Sequence, residues 1–198
     1  MFRRLSQCVF AALLVSGSLF AQDNGSSVSV NLTGVLNKNS SAANILQAPT
    51  NSAGFLATYR FNLNRHSGID LNYGYTRNTQ NYNVSDTSGS LQAGVHETTA
   101  AYVFKIPFGK VTPFLMAGSG ALIFNPTANV NNISGADTQA RAAFLYGGGF
   151  DYNVVKNVGL RVQYRGLLYK APDFGLPDLS TDSITHRAEP TVGIVFHF

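Results

Sequence analysis

Charge is what this chain has least of. Its 14 Lys and Arg and 10 Asp and Glu make up 12% of 198 residues, about half the share in a globular domain. A soluble domain with so little charge is unusual. Tryptophan is absent, and there is one cysteine, Cys8. No apolar run approaches the roughly 20 residues a spanning helix needs. Lys and Arg are scattered without a basic run, which gives no footprint for nucleic acid. No three histidines or carboxylates stand at metal-ligand spacing, so neither a metal nor another cofactor is expected. What the chain has instead is Gly (19), Phe (14) and Tyr (9), spread through alternating segments.

The first 21 residues read as a secretory signal peptide. Arg3 and Arg4 supply the positive start and Val9 to Val15 a short apolar core. Ser16, Gly17 and Ser18 are small residues that soften the end of this segment, and cleavage is expected after Ala21. Cys8 leaves with that segment, and no lipoprotein-type cysteine stands after the apolar core. The remaining domain, residues 22–198, then has no thiol chemistry. Without Arg3 and Arg4, 12 basic residues stand against 10 acidic ones, a net of +2.

Period-two alternation runs through the rest of the chain. The first strand is expected over 26–36, with Val28, Val30 and Leu32 on one face. The second, 54–61, places Phe55, Ala57, Tyr59 and Phe61 opposite Thr58 and Arg60. In the third, 69–77, Leu71, Tyr73 and Tyr75 oppose Asp70, Asn72, Gly74 and Thr76. The fourth, 91–105, sets Tyr102 and Phe104 against Glu97, Thr99 and Ala101. The fifth, 111–124, is apolar or small on both faces, and Val111, Leu115, Ala117 and Ile123 are placed outward. The sixth, 141–152, turns Phe144, Tyr146, Phe150 and Tyr152 away from Arg141, Gly147, Gly149 and Asp151. The seventh, 158–169, turns Leu160, Val162, Tyr164 and Leu168 away from Arg161, Gln163 and Arg165. The eighth begins near His186 and runs to the end.

The connections alternate in length. Long ones fall at about 37–53, 78–90, 125–140 and 170–185; short ones at about 62–68, 106–110 and 153–157. Short periplasmic turns and longer outer loops mark transmembrane barrels, and an even strand count puts both ends on one side. The fold expected is all-β: an eight-stranded antiparallel up-and-down transmembrane β-barrel. A soluble barrel would turn the aromatic face inward and crowd its interior with rings.

The ending carries a second signal. Val192, Ile194, Phe196 and Phe198 share one face of a strand that stops on an aromatic residue. With the signal peptide, the eight segments and the stretch Pro113-Phe114-Leu115-Met116-Ala117-Gly118-Ser119-Gly120, this chain resembles the small outer-membrane β-barrel family, similar to the OmpA-type barrel domain. The resemblance covers nearly all of the mature length. It implies a bacterial outer-membrane address and a terminal strand read by the barrel-assembly machinery. The family includes structural anchors, adhesins and proteins of unknown role. The chain stops at the barrel, so peptidoglycan binding is not implied.

Chemistry is sparse. The expected lumen holds Arg60, Asp70, Glu97, Arg141, Asp151, Arg161, Arg165 and Glu189. Ionisable groups at membrane depth are costly unless paired or wet, and eight strands enclose room only for side chains. A salt-bridge network that plugs the barrel is expected. Ser183, His186 and Glu189 are near one another in sequence, but Ser183 and His186 have opposite parity, and no deacylase-like His-Xaa-Ser-Asn segment occurs. His96 and Glu97 are adjacent and so lie on opposite faces. Gly147-Gly148-Gly149 interrupts a strand and lacks the Lys and Ser/Thr of a phosphate loop. The function expected is a non-enzymatic, monomeric barrel with a structural or surface-interaction role. It would contact outer-membrane lipid and meet a surface ligand through its outer loops, with no nucleic-acid partner. The alternative is a narrow channel for small polar solutes. The remote one is a lipid-modifying enzyme.

Overall fold

Alternation in the sequence becomes a wall with two unlike faces. The computed structural model describes residues 25–37, 40–42, 45–49, 51–84, 87–126, 138–172 and 184–198. The expected signal peptide lies outside the described residues. Among the described residues there are ten strands: β1 Ser26–Asn37, β2 Ser40–Ala42, β3 Ile45–Pro49, β4 Ser52–Asn62, β5 Ser67–Val84, β6 Thr87–Lys105, β7 Val111–Pro126, β8 Gln139–Val155, β9 Val158–Lys170 and β10 Ile184–His197. Eight of them close a barrel in the order β1-β4-β5-β6-β7-β8-β9-β10, and β10 returns to pair with β1. Every neighbouring pair is antiparallel. The eight-stranded expectation holds.

The two additional strands correct the expected first loop. β2 and β3 form a small hairpin there, and β3 pairs with the far end of β5 over Gln80–Val84. The second loop is corrected too. β5 and β6 stay paired from Ser67↔Phe104 to Val84↔Thr87, so this connection is a long β-hairpin. Thr, Tyr, Asn and Gln alternate there with enough β-formers to continue the ladder, although an apolar stripe is missing.

Faces follow parity. Leu32 is 71% exposed and Leu115 67%, whereas Arg161 and Arg165 are 0% exposed. Apolar residues outside and charges inside invert the soluble pattern and fit a wall bathed in lipid. The outward face carries Tyr and Phe near both ends. Phe104, Phe108, Phe150, Tyr152, Phe196 and Phe198 mark the short-turn end. Phe55, Tyr73, Tyr75 and Tyr146 stand further up. The expected outward set of β7 holds for Val111, Leu115 and Ala117, and Ile123 follows the same parity half-buried.

β7 lacks contrast in the sequence because its inner face is apolar as well. Phe114, Met116, Leu122 and Phe124 point inward and pack with Val95, Val103, Leu145, Leu167 and Tyr169. The lumen is therefore divided, with an apolar side around β6, β7 and β8 and a polar side around β1, β4, β5, β9 and β10.

Short turns set one end. Asn64 Oδ1 accepts from the backbone N–H of His66 and Ser67, both at 2.8 Å. Gly109 adopts φ 58°, a left-handed value that suits glycine in the tight turn between β6 and β7. At the same end the Phe198 N–H donates to Ser26 O at 3.0 Å, which fastens the last residue to the first strand.

Candidate functional site

Inward parity places five arginines and four carboxylates on the lumen side, and all but Arg141 sort into two sets. Nearer the short turns, Arg60 on β4 holds Asp70 on β5 with two bonds, Nε–Oδ1 at 2.6 Å and Nη2–Oδ2 at 2.8 Å. Arg161 on β9 grips Asp151 on β8 in the same forked way, at 2.7 and 2.8 Å. Arg60 Nη1 also donates to Asp151 Oδ2 at 3.2 Å, joining the two pairs across the barrel. Arg161 Nη1 reaches Ser29 at 3.2 Å. Both guanidinium groups lie over the Phe114 ring, 4.3 and 5.4 Å from its centre.

The second set sits further up. Arg165 on β9 bonds Glu97 on β6 through Nη2 and Glu189 on β10 through Nη1, the latter at 2.8 Å. Arg187 Nε donates to Glu189 Oε1 at 2.6 Å, and its Nη2 to Thr76 at 3.0 Å. Thr99 donates to Glu97 at 3.1 Å and accepts from Asn72 at 3.2 Å. Thr58 in turn donates to Asn72 at 2.8 Å. Each set holds two arginines and two carboxylates, so each is formally neutral. Charge-assisted bonds of this kind are about twice as strong as neutral ones, and the two Arg–Asp pairs are forked as well.

Glycine makes the room. On the wall, Gly147 is the register partner of Arg165, Gly193 of Arg161 and Gly74 of Glu97. A Cβ on Gly147 would overlap the β9 backbone at Tyr164 and Arg165. The Gly147-Gly148-Gly149 run thus serves close approach within the wall.

Seven of the eight expected lumen residues belong to these sets. Arg141 stands apart, half-buried on the inner side of β8 toward the long loops. Arg187 is the member that sequence reasoning missed. Its signal was available, since Arg187 shares parity with Glu189 and Thr191. The other candidates separate. His186 faces outward and shares a 2.9 Å hydrogen bond with the Tyr146 hydroxyl, whereas Glu189 is buried on the opposite face. Ser183 lies outside the described residues. His96 is likewise outward, 2.8 Å from the Tyr73 hydroxyl, with its ring 5.0 Å from Tyr75. Among the described residues no group of three His, Cys, Asp or Glu side chains could hold a metal ion.

A cavity of about 330 Å³ opens at the short-turn end, floored by Arg60 and Asp151. Lys105, Arg65, Asn62, Asn153 and His197 are among the residues around it. Lys105 was not singled out from the sequence, although its parity matches Glu97 and Ala101.

The barrel is closed, its wall is apolar outside, its paired arginines and carboxylates are buried inside, and the first and last strands begin and end at the short-turn side. The family model for the outer membrane protein beta-barrel domain matches residues 9–197. The chain belongs to that family. It is a protein of the bacterial outer membrane. Among solved structures it is similar to the outer membrane protein OprG of Pseudomonas aeruginosa, with TM-score 0.65 and 11% identity over 88% of this chain and 96% of that one. It is similar to Ail, the attachment invasion locus protein of Yersinia pestis, crystallised with the heparin analogue sucrose octasulfate. There the TM-score is 0.57 and identity 18%, over 89% of this chain and 100% of that one. Neisserial surface protein A gives 0.56 and 15%, over 87% and 97%. Among curated proteins none matches the chain. At these identities the likeness is one of fold.

Proposed function

We propose that this outer-membrane barrel is a non-enzymatic, monomeric surface protein. Its lumen is closed by its own side chains, and its outward contacts are made through the four long connections. The pairing of four buried arginines with four buried carboxylates carries the reading. A conducting path needs groups that release a passing solute as readily as they take it up. Forked Arg–carboxylate pairs in an eight-stranded lumen instead hold one another. Against catalysis, His186 is committed to Tyr146 on the lipid side, and Glu189 to two arginines inside.

Residues 1–21 are taken as the signal peptide, and Val192, Ile194, Phe196 and Phe198 as the strand read by the assembly machinery. All four side chains face outward, 53, 46, 43 and 63% exposed. The long connections carry two basic residues, Lys38 and Lys170, against five acidic ones, Asp86, Asp137, Asp173, Asp178 and Asp182. That balance favours a neutral or cationic surface ligand over a sulfated polyanion of the kind bound to Ail.

The test is planar-bilayer recording of the native protein beside Glu97→Gln. Little steady conductance is expected from the native barrel, with more from the variant, where Arg165 loses a partner. A large, stable native conductance would overturn this reading in favour of a channel for small polar solutes.

A further inference from the structure

We propose that the cavity at the short-turn mouth is a binding site for a small oxyanion, a phosphate or carboxylate group presented from the periplasmic side. Its floor is electrically satisfied, because Arg60 is committed to Asp70 and Asp151. Lys105 is not. Its half-buried ammonium donates to Asn62 Oδ1, and Asn62 Nδ2 donates onward to Gly25 O, so the amine is held in place by a neutral amide. None of the ion pairs among the described residues involves Lys105 or Arg65. Lys105 and Arg65 therefore face a cavity whose lining carboxylate, Asp151, is already held by Arg60 and Arg161.

Two further polar groups lack a partner there. His197 Nε2 and Asn153 Oδ1 are buried and make no hydrogen bond among the described residues. Both residues are anchored by their backbones. The His197 N–H donates to Asn157 O at 2.9 Å and its carbonyl accepts from Asn157 Nδ2 at 3.1 Å. The Asn153 N–H donates to Lys110 O at 2.8 Å. A half-turn of the Asn153 amide presents Nδ2 in place of Oδ1, and a histidine nitrogen donates in one tautomer. Lys105 Nζ, His197 Nε2 and Asn153 Nδ2 then offer three donors beside a positive charge, the chemistry an oxyanion requires. A cavity of about 330 Å³ accepts a phosphate, a carboxylate or a glycerol phosphate. A phospholipid headgroup of the inner leaflet and a free periplasmic anion both supply this group.

The experiment is NMR titration of the isotope-labelled full barrel, reading the His197 ring and Lys105 side-chain signals. In phosphatidylcholine nanodiscs the probes are inorganic phosphate, acetate and glycerol phosphate, with sodium chloride matched for ionic strength. In a second arm, nanodiscs containing phosphatidylglycerol receive no soluble anion. Saturable shifts confined to the mouth are expected. A response to the soluble probes alone assigns a free anion, and a response to phosphatidylglycerol alone assigns the headgroup. Lys105→Gln is expected to weaken binding about tenfold, the loss of one charge-assisted bond, while Lys156→Gln on an exposed turn leaves it unchanged. His197→Phe is the second variant, should Lys105→Gln fold poorly. Shifts that grow linearly with salt of any kind, that are the same in both mouth variants, or that fail to appear in either arm would overturn the proposal.

Discussion

Asp151 accepts bonds from arginines on two different strands, Arg161 beside it and Arg60 across the lumen. Removing that one negative charge strands a buried cation, and breaking a buried pair from one side costs about 3–5 kcal/mol. Asp151→Asn is therefore expected to lower the stability of the refolded barrel by that amount, read from urea unfolding in lipid vesicles. Lys156→Gln, on an exposed turn, should leave the unfolding midpoint in place. The two residues overlooked from the sequence, Arg187 and Lys105, were both legible by parity. Arg187 sits two positions before Glu189, and Lys105 eight beyond Glu97. What parity does not contain is partner choice. That Arg165 meets Glu97 of a strand 68 residues away depends on closure of the wall.

At the scale of the strand, alternation was the strongest guide. It works best where the two faces differ in chemistry, as in β5, where Asp70, Asn72 and Thr76 alternate with Leu71, Tyr73 and Tyr75. It is weakest in β7, whose inward Met116 and Leu122 face an apolar half-lumen while Leu115 faces lipid. Strand extensions beyond the membrane were illegible for a related reason. Past Arg77 the polar run Asn78-Thr79-Gln80-Asn81 reads as loop, yet backbone pairing with β6 continues through it. Glycine placement adds a prediction. Gly147→Ala pushes a methyl group into the β9 backbone, whereas at Gly34 a Cβ would make ordinary contact, 3.5 Å from Pro190. Gly147→Ala should lose about 1–3 kcal/mol and show a smaller folded fraction on unboiled gels. Gly34→Ala should match the parent.

The whole molecule is a wall without a free edge around its membrane section, and such a wall resists detergent. The folded protein is expected to migrate differently on SDS gels before and after boiling. Identical mobility, with helical circular dichroism, would count against the fold. Phe198→Ala should lower outer-membrane yield in cells more than it lowers stability after refolding in detergent, because the exposed terminal ring has little packing to lose inside the barrel. Unchanged yield would remove the assembly role given to the last strand. The ion pairs also carry a history of folding. Arg60 and Asp70 come from one hairpin, β4–β5, and Asp151 and Arg161 from another, β8–β9, each pair only ten residues apart. The β4–β5 hairpin can enter lipid with that pair already cancelled, whereas the β8–β9 hairpin still carries Arg165, whose partners Glu97 and Glu189 lie on β6 and β10. On the β9–β10 hairpin Arg161, Arg165 and Arg187 stand against Glu189, until Asp151 of β8 and Glu97 of β6 supply the balance. A half-built sheet is thus penalised at β9, whose arginines are cancelled only once β6, β8 and β10 all stand around it.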